Sequence, residues 1–203
     1  MDIARIVLVK GDGDYGIAEG DPVLASLGRS IAPIDTSGAV VDWTGPDALE
    51  LQGWMDMWED TDGIWQMETG FAIDDVSWHA EPVDGGLAAE APSARHARIG
   101  DTIRWQVHNA TMMAHPFHLH GFSFQVSRFE QIPEDDPSVM YSWDVGYREY
   151  QDTVLIPAHT SAFFDVKIVD PNGDGGAAGR WLKHCHIFQH AGSGMMSELI
   201  IAP

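Results

Sequence analysis

Apolar and polar residues alternate one by one in Thr102-Ile103-Arg104-Trp105-Gln106-Val107-His108, and again in Phe122-Ser123-Phe124-Gln125-Val126. In a strand this alternation turns one face to a core and the other to water. Short runs rich in β-branched and aromatic residues predict further strands, giving the set 71–76, 98–109, 122–129, 151–156, 161–169, 179–185 and 197–201. Turn clusters separate them, such as Pro133-Glu134-Asp135-Asp136-Pro137 and Asp170-Pro171-Asn172-Gly173-Asp174-Gly175-Gly176. Helical periodicity is almost absent, so the expected fold class is an all-β sandwich.

The first third of the chain reads differently. Residues 4–9 predict a short β-branched strand closed by Gly11-Asp12-Gly13-Asp14. From Asp21 to Gly63 no period is sustained, and Pro22, Pro33 and Pro46 interrupt the segment. A structureless loop of that length is unusual inside a compact domain, so it is expected to be a linker lying across another surface. Trp54, Met55, Met57 and Trp58 would then cover that surface.

Composition changes the picture in three ways. The formal net charge of −20 repels phosphate backbones, which excludes nucleic acid as a natural partner and favours cations. Lys10, Lys167 and Lys183 are the only lysines. A single cysteine rules out an intrachain disulfide framework. No run approaches the roughly 18 apolar residues of a membrane span, and the apolar stretch within residues 1–10 is too short, with the wrong flanks, to be expected as a signal peptide.

The chemistry gathers in two motifs. One is His115-Pro116-Phe117-His118-Leu119-His120-Gly121; the other is His184-Cys185-His186, followed by His190 and Met195. Strand parity puts His118 and His120 on one face and His115 on the other, and likewise separates His184 and His186 from Cys185. Pairing the motifs by face collects His115, Cys185, His190 and Met195 at one site, and His118, His120, His184 and His186 at another. Two imidazoles, a thiolate and a weak axial thioether are the donor set of a blue-copper electron-transfer centre. An all-imidazole set suits copper that binds and reduces oxygen. Zinc would accept it too, but the neighbouring thiolate and thioether argue for copper.

Other motifs take ordinary roles. His79, His96, His108 and His159 have no metal-ligand spacing. Met112 and Met113 are expected to pack near His115, and Met196 in the core. The segment from Asp170 resembles the start of a calcium loop, but Trp181 stands at its twelfth position, so a hairpin turn is expected. Asn109-Ala110-Thr111 spells a glycosylation sequon directly before the first histidine motif.

The two motifs, with His190 five and Met195 ten residues after Cys185, resemble the C-terminal cupredoxin domain of a laccase-type multicopper oxidase. Phe71-Ala72-Ile73-Asp74, Gly100-Asp101 and the strand from Gly179 to Cys185 extend the resemblance over 64–203. It implies a cupredoxin-like Greek-key β-sandwich. It also implies type 1 copper on His115, Cys185, His190 and Met195, type 2 copper on His118, and a binuclear type 3 pair on His120, His184 and His186. Electrons would enter at His115 or His190, whichever ring edge is exposed, and pass from Cys185 through His184 and His186 to O2. The family's oxygen-reducing cluster also needs two His-x-His pairs from an N-terminal cupredoxin domain, and this sequence has no others. Residues 1–63 are accordingly expected to be the tail of a preceding domain plus linker, with the missing pairs on another chain or outside these residues. Ala191 stands where many bacterial members carry an acid that feeds protons to the cluster. The family suggests a periplasmic or extracellular setting and a small reducing substrate, a phenol or a metal ion such as Cu(I), Fe(II) or Mn(II). A blue-copper electron-transfer or copper-binding module without oxygen chemistry is the second reading. A copper nitrite reductase is disfavoured, since that family lacks the second histidine of His184-Cys185-His186.

Overall fold

The structure, a computed structural model, describes residues 32–78, 89–146 and 148–203. The expected strand over 4–9 and His79 lie outside them. The described residues form two sheets packed face to face. One contains β1 (Val40–Trp43), β2 (Leu49–Glu59), β3 (Trp65–Ile73), β5 (Thr102–Asn109), β7 (Phe124–Gln131), β8 (Tyr141–Asp144) and β10 (Thr160–Lys167). The other has the order β4 (Arg95–Arg98), β12 (Met196–Ala202), β11 (Gly179–Cys185), β6 (His115–Leu119) and β9 (Thr153–Ile156). A five-residue helix, α1 (Phe188–Gly192), joins β11 to β12.

Alternation builds the core as expected. On β5 the inward residues Ile103, Trp105 and Val107 are fully buried, as are Phe124 and Phe164 from the same sheet and Phe117 and Leu119 from the facing one. The Phe117 ring lies 6.0 Å from both Trp105 and Phe164 of the opposite sheet, so aromatic contacts bridge the two.

Three expectations are corrected. Residues 98–109 are not one strand: Gly100, at φ +95, turns the chain, so β4 and β5 lie in different sheets. The proline-rich segment before Gly63 is not an irregular linker from residue 40 onward. There β1 and then β2 run parallel along the same edge of β5, separated by the 3-10 turn Gly45–Asp47. They therefore belong to the sandwich, and a break at residue 63 would cut through its sheet. Leu49 and Leu51 are fully buried, whereas the outer half of β2 continues only as a hairpin with β3. That is why hydropathy misses it: beyond Gly53 neither face of the hairpin enters the core, and apolar residues occupy both. Among the described residues Trp54, Met55, Met57 and Trp58 remain 44–60% exposed instead of lying across the sandwich.

Candidate metal centre

Register creates the first site. β6 and β11 are antiparallel neighbours with Cys185 opposite Phe117 and His184 opposite His118. His115 and Cys185 thus share the inward face, and both are fully buried. α1 brings His190 back over them, with Nδ1 3.7 Å from Cys185 Sγ and 3.1 Å from His115 Nδ1. His115 Nδ1 lies 3.4 Å from the same sulfur. Two backbone bonds close the loop: Met195 N–H donates to His190 O at 3.0 Å, and Cys185 N–H donates to Met195 O at 3.1 Å. Met195 is wholly buried in the same apolar cluster as Cys185.

The electrostatics suit a cation. Burial pushes the Cys185 thiol up to about 11, only partly opposed by the Ile187 N–H directed at its sulfur. Burial, then the neighbouring His190, pulls His115 down to about 4, and burial lowers His190 as well. Three neutral donors therefore converge in a dry site, and a soft cation would supply the charge that stabilises the thiolate. Thiolate with two imidazoles fits copper.

The opposite parity builds the second site on the outer side of the same sheet. His118, His120 and His184 bring ligand nitrogens within 4.8 Å of one another, with Nε2 of His120 and His184 3.0 Å apart. His118 Nδ1 is held by Asp152 O at 2.9 Å and Thr153 Oγ1 at 2.8 Å, and His184 Nδ1 by Cys185 O at 2.8 Å. Each can therefore carry its proton on Nδ1 and turn the Nε2 lone pair toward a cation. His186 lies just past β11; its ring centroid is 5.2 Å from that of His118 and 5.8 Å from that of His184. Burial, and then the other imidazoles, lower the pKa of His120; His184 is lowered chiefly by burial. The parity read from sequence survives Pro116, whose carbonyl accepts the His186 N–H at 2.7 Å.

Neither ring offered as the place where electrons enter has an open edge. His115 is fully buried, and its Nε2 is 2.7 Å from Thr111 Oγ1. His190 is nearly so, and Phe71 stacks on it at 4.0 Å. Phe71, Thr111 and Thr153 are site residues that sequence reasoning missed, because no local pattern marks which phenylalanine or threonine packs against a histidine. Lys183 was missed too: fully buried beside His184, it donates to Ser93 O, Ser197 Oγ and Glu198 O at 2.8–3.1 Å. The expected packing of Met112 and Met113 is not seen among the described residues, where both are exposed.

The ordinary roles are visible for several residues. His96 faces Glu90, His108 bonds Ser161 Oγ, and His159 faces Glu134. Asp170 accepts the Gly175 N–H within its own turn. Asn109 is fully buried, which removes it as a glycan acceptor.

A two-sheet β-sandwich with a buried His-Cys-His set and histidines on the reverse face of the same strands is a type 1-like copper domain. The chain belongs to the multicopper oxidase family, whose sequence profile matches residues 41–203. It is 34% identical over 106 residues to the iron multicopper oxidase fer1 of Mycosarcoma maydis, covering 51% of this chain and 16% of that protein. It is 33% identical over 130 residues to the iron transport multicopper oxidase fio1 of Schizosaccharomyces pombe, covering 62% and 19%. Among solved structures, a multicopper oxidase from Campylobacter jejuni, described as a metallo-oxidase, superposes with a TM-score of 0.56 at 19% identity. That match covers 85% of this chain and 32% of that one. McoA from Aquifex aeolicus superposes with a TM-score of 0.56 at 23% identity, covering 86% and 32%. The structural likeness places the sandwich among the cupredoxin domains of such oxidases. The chain spans less than a fifth of the curated relatives' length. Among the described residues, no helix is long and apolar enough to cross a membrane.

Proposed function

We propose that this chain is the C-terminal part of an oxidase that draws single electrons from a reducing substrate and delivers them to O2. Copper, when bound, supplies the one-electron redox chemistry. His115, Cys185 and His190 would hold the type 1 ion, with Met195 offering its thioether. His118 would serve the type 2 ion, and His120, His184 and His186 the type 3 pair. The observation that carries this reading is the position of Cys185: its side chain is inside the sandwich, while the histidines bonded to it on either side belong to the outer set. The chain itself thus provides a covalent route between the two sites. Phe71, stacked on His190, covers the buried end of that route. Four electrons and four protons convert O2 to two waters, and the outer set is completed by an N-terminal cupredoxin domain bearing two His-x-His pairs.

The hairpin beyond Phe71 bears on the substrate. Cross-strand partners Met57 and Met67, with Met55 two residues before Met57, lie on one exposed face of β2–β3. Thioethers favour soft Cu(I) over Fe(II) or Mn(II), and the acidic chain attracts cations generally.

The copper-loaded protein should be intensely blue, and Cys185→Ser should be colourless at equal copper content. A colourless wild type with full copper occupancy would refute the reading. A blue-copper electron carrier is the second reading, favoured by the convergence of His115, Cys185 and His190 within this one chain. Oxygen uptake only after the N-terminal complement is added supports the oxidase. Its absence in the completed protein supports the carrier.

A further inference from the structure

We infer that Asn109 and Thr111 act as a positioning pair that locks His115 as its Nε2–H tautomer, leaving Nδ1 bare toward Cys185 and His190. The inference deepens the copper-site reading and rests on it for its functional consequence.

A buried chain of hydrogen bonds runs from Asn109 through Thr111 to His115. Asn109 ends β5, fully buried. Its Nδ2 points at three carbonyl oxygens: Met113 O at 2.7 Å, Pro157 O at 2.9 Å and Ile156 O at 3.0 Å. Flipping the amide would set Oδ1 against three oxygens, so its orientation is determined. Oδ1 is then an acceptor, and it faces Thr111 N at 3.0 Å and Thr111 Oγ1 at 2.8 Å. Thr111 Oγ1 also lies 3.1 Å from Met113 O.

The hydroxyl has one proton, and both of these oxygens can only accept. Turning that proton toward His115 would leave two oxygens facing bare lone pairs at 2.8 and 3.1 Å. Directed at Asn109 or Met113, it leaves Oγ1 as acceptor for His115 Nε2, 2.7 Å away. The imidazole proton must therefore sit on Nε2. Nδ1, the nitrogen 3.4 Å from Cys185 Sγ and 3.1 Å from His190 Nδ1, carries the lone pair.

The consequence is preorganisation. A ligating histidine is usually oriented by the hydrogen bond of its other nitrogen. Here the orienting group is a threonine, itself oriented by an asparagine that also anchors the loop leading into His115. Metal then meets an unprotonated ligand and displaces no proton from His115. Without the hydroxyl, the buried Nε2–H loses its acceptor, and the ring can move its proton to Nδ1, where Cys185 and His190 offer acceptors.

The test uses the 15N-labelled full chain, metal-free, with long-range 1H–15N correlation through the His115 ring. Wild type should show Nε2 protonated and Nδ1 bare. Thr111→Val should shift the proton to Nδ1, weaken copper affinity about tenfold or more, and move the visible charge-transfer band of the loaded protein. Thr111→Ser should restore all three. A proton on Nδ1 in wild type overturns the inference, as does Thr111→Val with wild-type tautomer and affinity. Should Thr111→Val fail to fold, the wild-type and Thr111→Ser spectra decide the matter. Failure of wild type to bind copper would sink the functional reading while leaving the tautomer measurement standing.

Discussion

Phe71 and His190 lie face to face, with ring centroids 4.0 Å apart and planes 22° from parallel. β3 thereby reaches from the exposed hairpin to a metal-site histidine held by α1. The cover of the metal site is thus built from the inner end of the hairpin's second strand.

Removing that cover should expose the histidine. Phe71→Ala is expected to cost about 2 kcal/mol, below a fully buried Phe→Ala because Phe71 is half-buried. It should also raise kcat/KM for bulky electron donors relative to small ones. Urea denaturation and steady-state oxidation of donors of graded size check this. An unchanged size preference would show that electrons arrive elsewhere.

The metal-free protein should lose stability on acidification. His115 falls from an ordinary 6.5 to about 4 on folding, so between those values the unfolded chain binds more protons. Stability is full above 6.5 and is lost as pH drops through the window. Crossing that window, from 6.5 to about 4, at about 1.36 kcal/mol per pH unit, costs roughly 3 kcal/mol. Denaturation curves from pH 7 to 4 measure it, and bound copper should steepen the loss because protons then compete with the ion.

Lys183 predicts a slope in the alkaline range. Burial pulls its ammonium from 10.5 to about 7, so the unfolded chain again binds more protons between those values. Stability should therefore rise from pH 7 toward 10, by roughly 2 to 3 kcal/mol over the first two units. In Lys183→Met this rise should vanish. Parallel urea titrations of both proteins at pH 7 and 9 decide it, and equal slopes would show that the buried amine is not responsible.

Gly194 tolerates no side chain. Its φ is +110, and an added Cβ would sit 2.0 Å from Ser77 Oγ and 2.6 Å from Phe71 O. Because it lies between His190 and Met195, Gly194→Ala should cost about 3 kcal/mol or more and reduce copper retention. Thermal unfolding and copper content after dialysis give the two readouts.

The methionine face separates substrate from scaffold. Met57 and Met67 are 60% and 62% exposed, so replacing both with Ser should change stability by no more than about 0.5 kcal/mol. Oxidation of Cu(I) should fall several-fold while that of a phenol stays constant. A parallel loss with both donors would remove the face from substrate selection.

By itself the sequence determined the two faces of the site. Strand side chains alternate with a period of two, so the spacings within 115–120 and 184–186 were enough to separate His115 and Cys185 from the outer histidines. That is a local rule needing no knowledge of neighbours. The same rule outlined most of the sandwich from β5 onward. It failed where pairing, not hydropathy, makes the strand: β1 and β2 exist because β5 offers them an edge, and the hairpin beyond Gly53 has no core to pattern it. Tertiary structure alone decided what surrounds the ligands. Phe71 reaches His190, and Asn109 and Thr111 reach His115, because long-range packing and the satisfaction of buried polar groups bring them there.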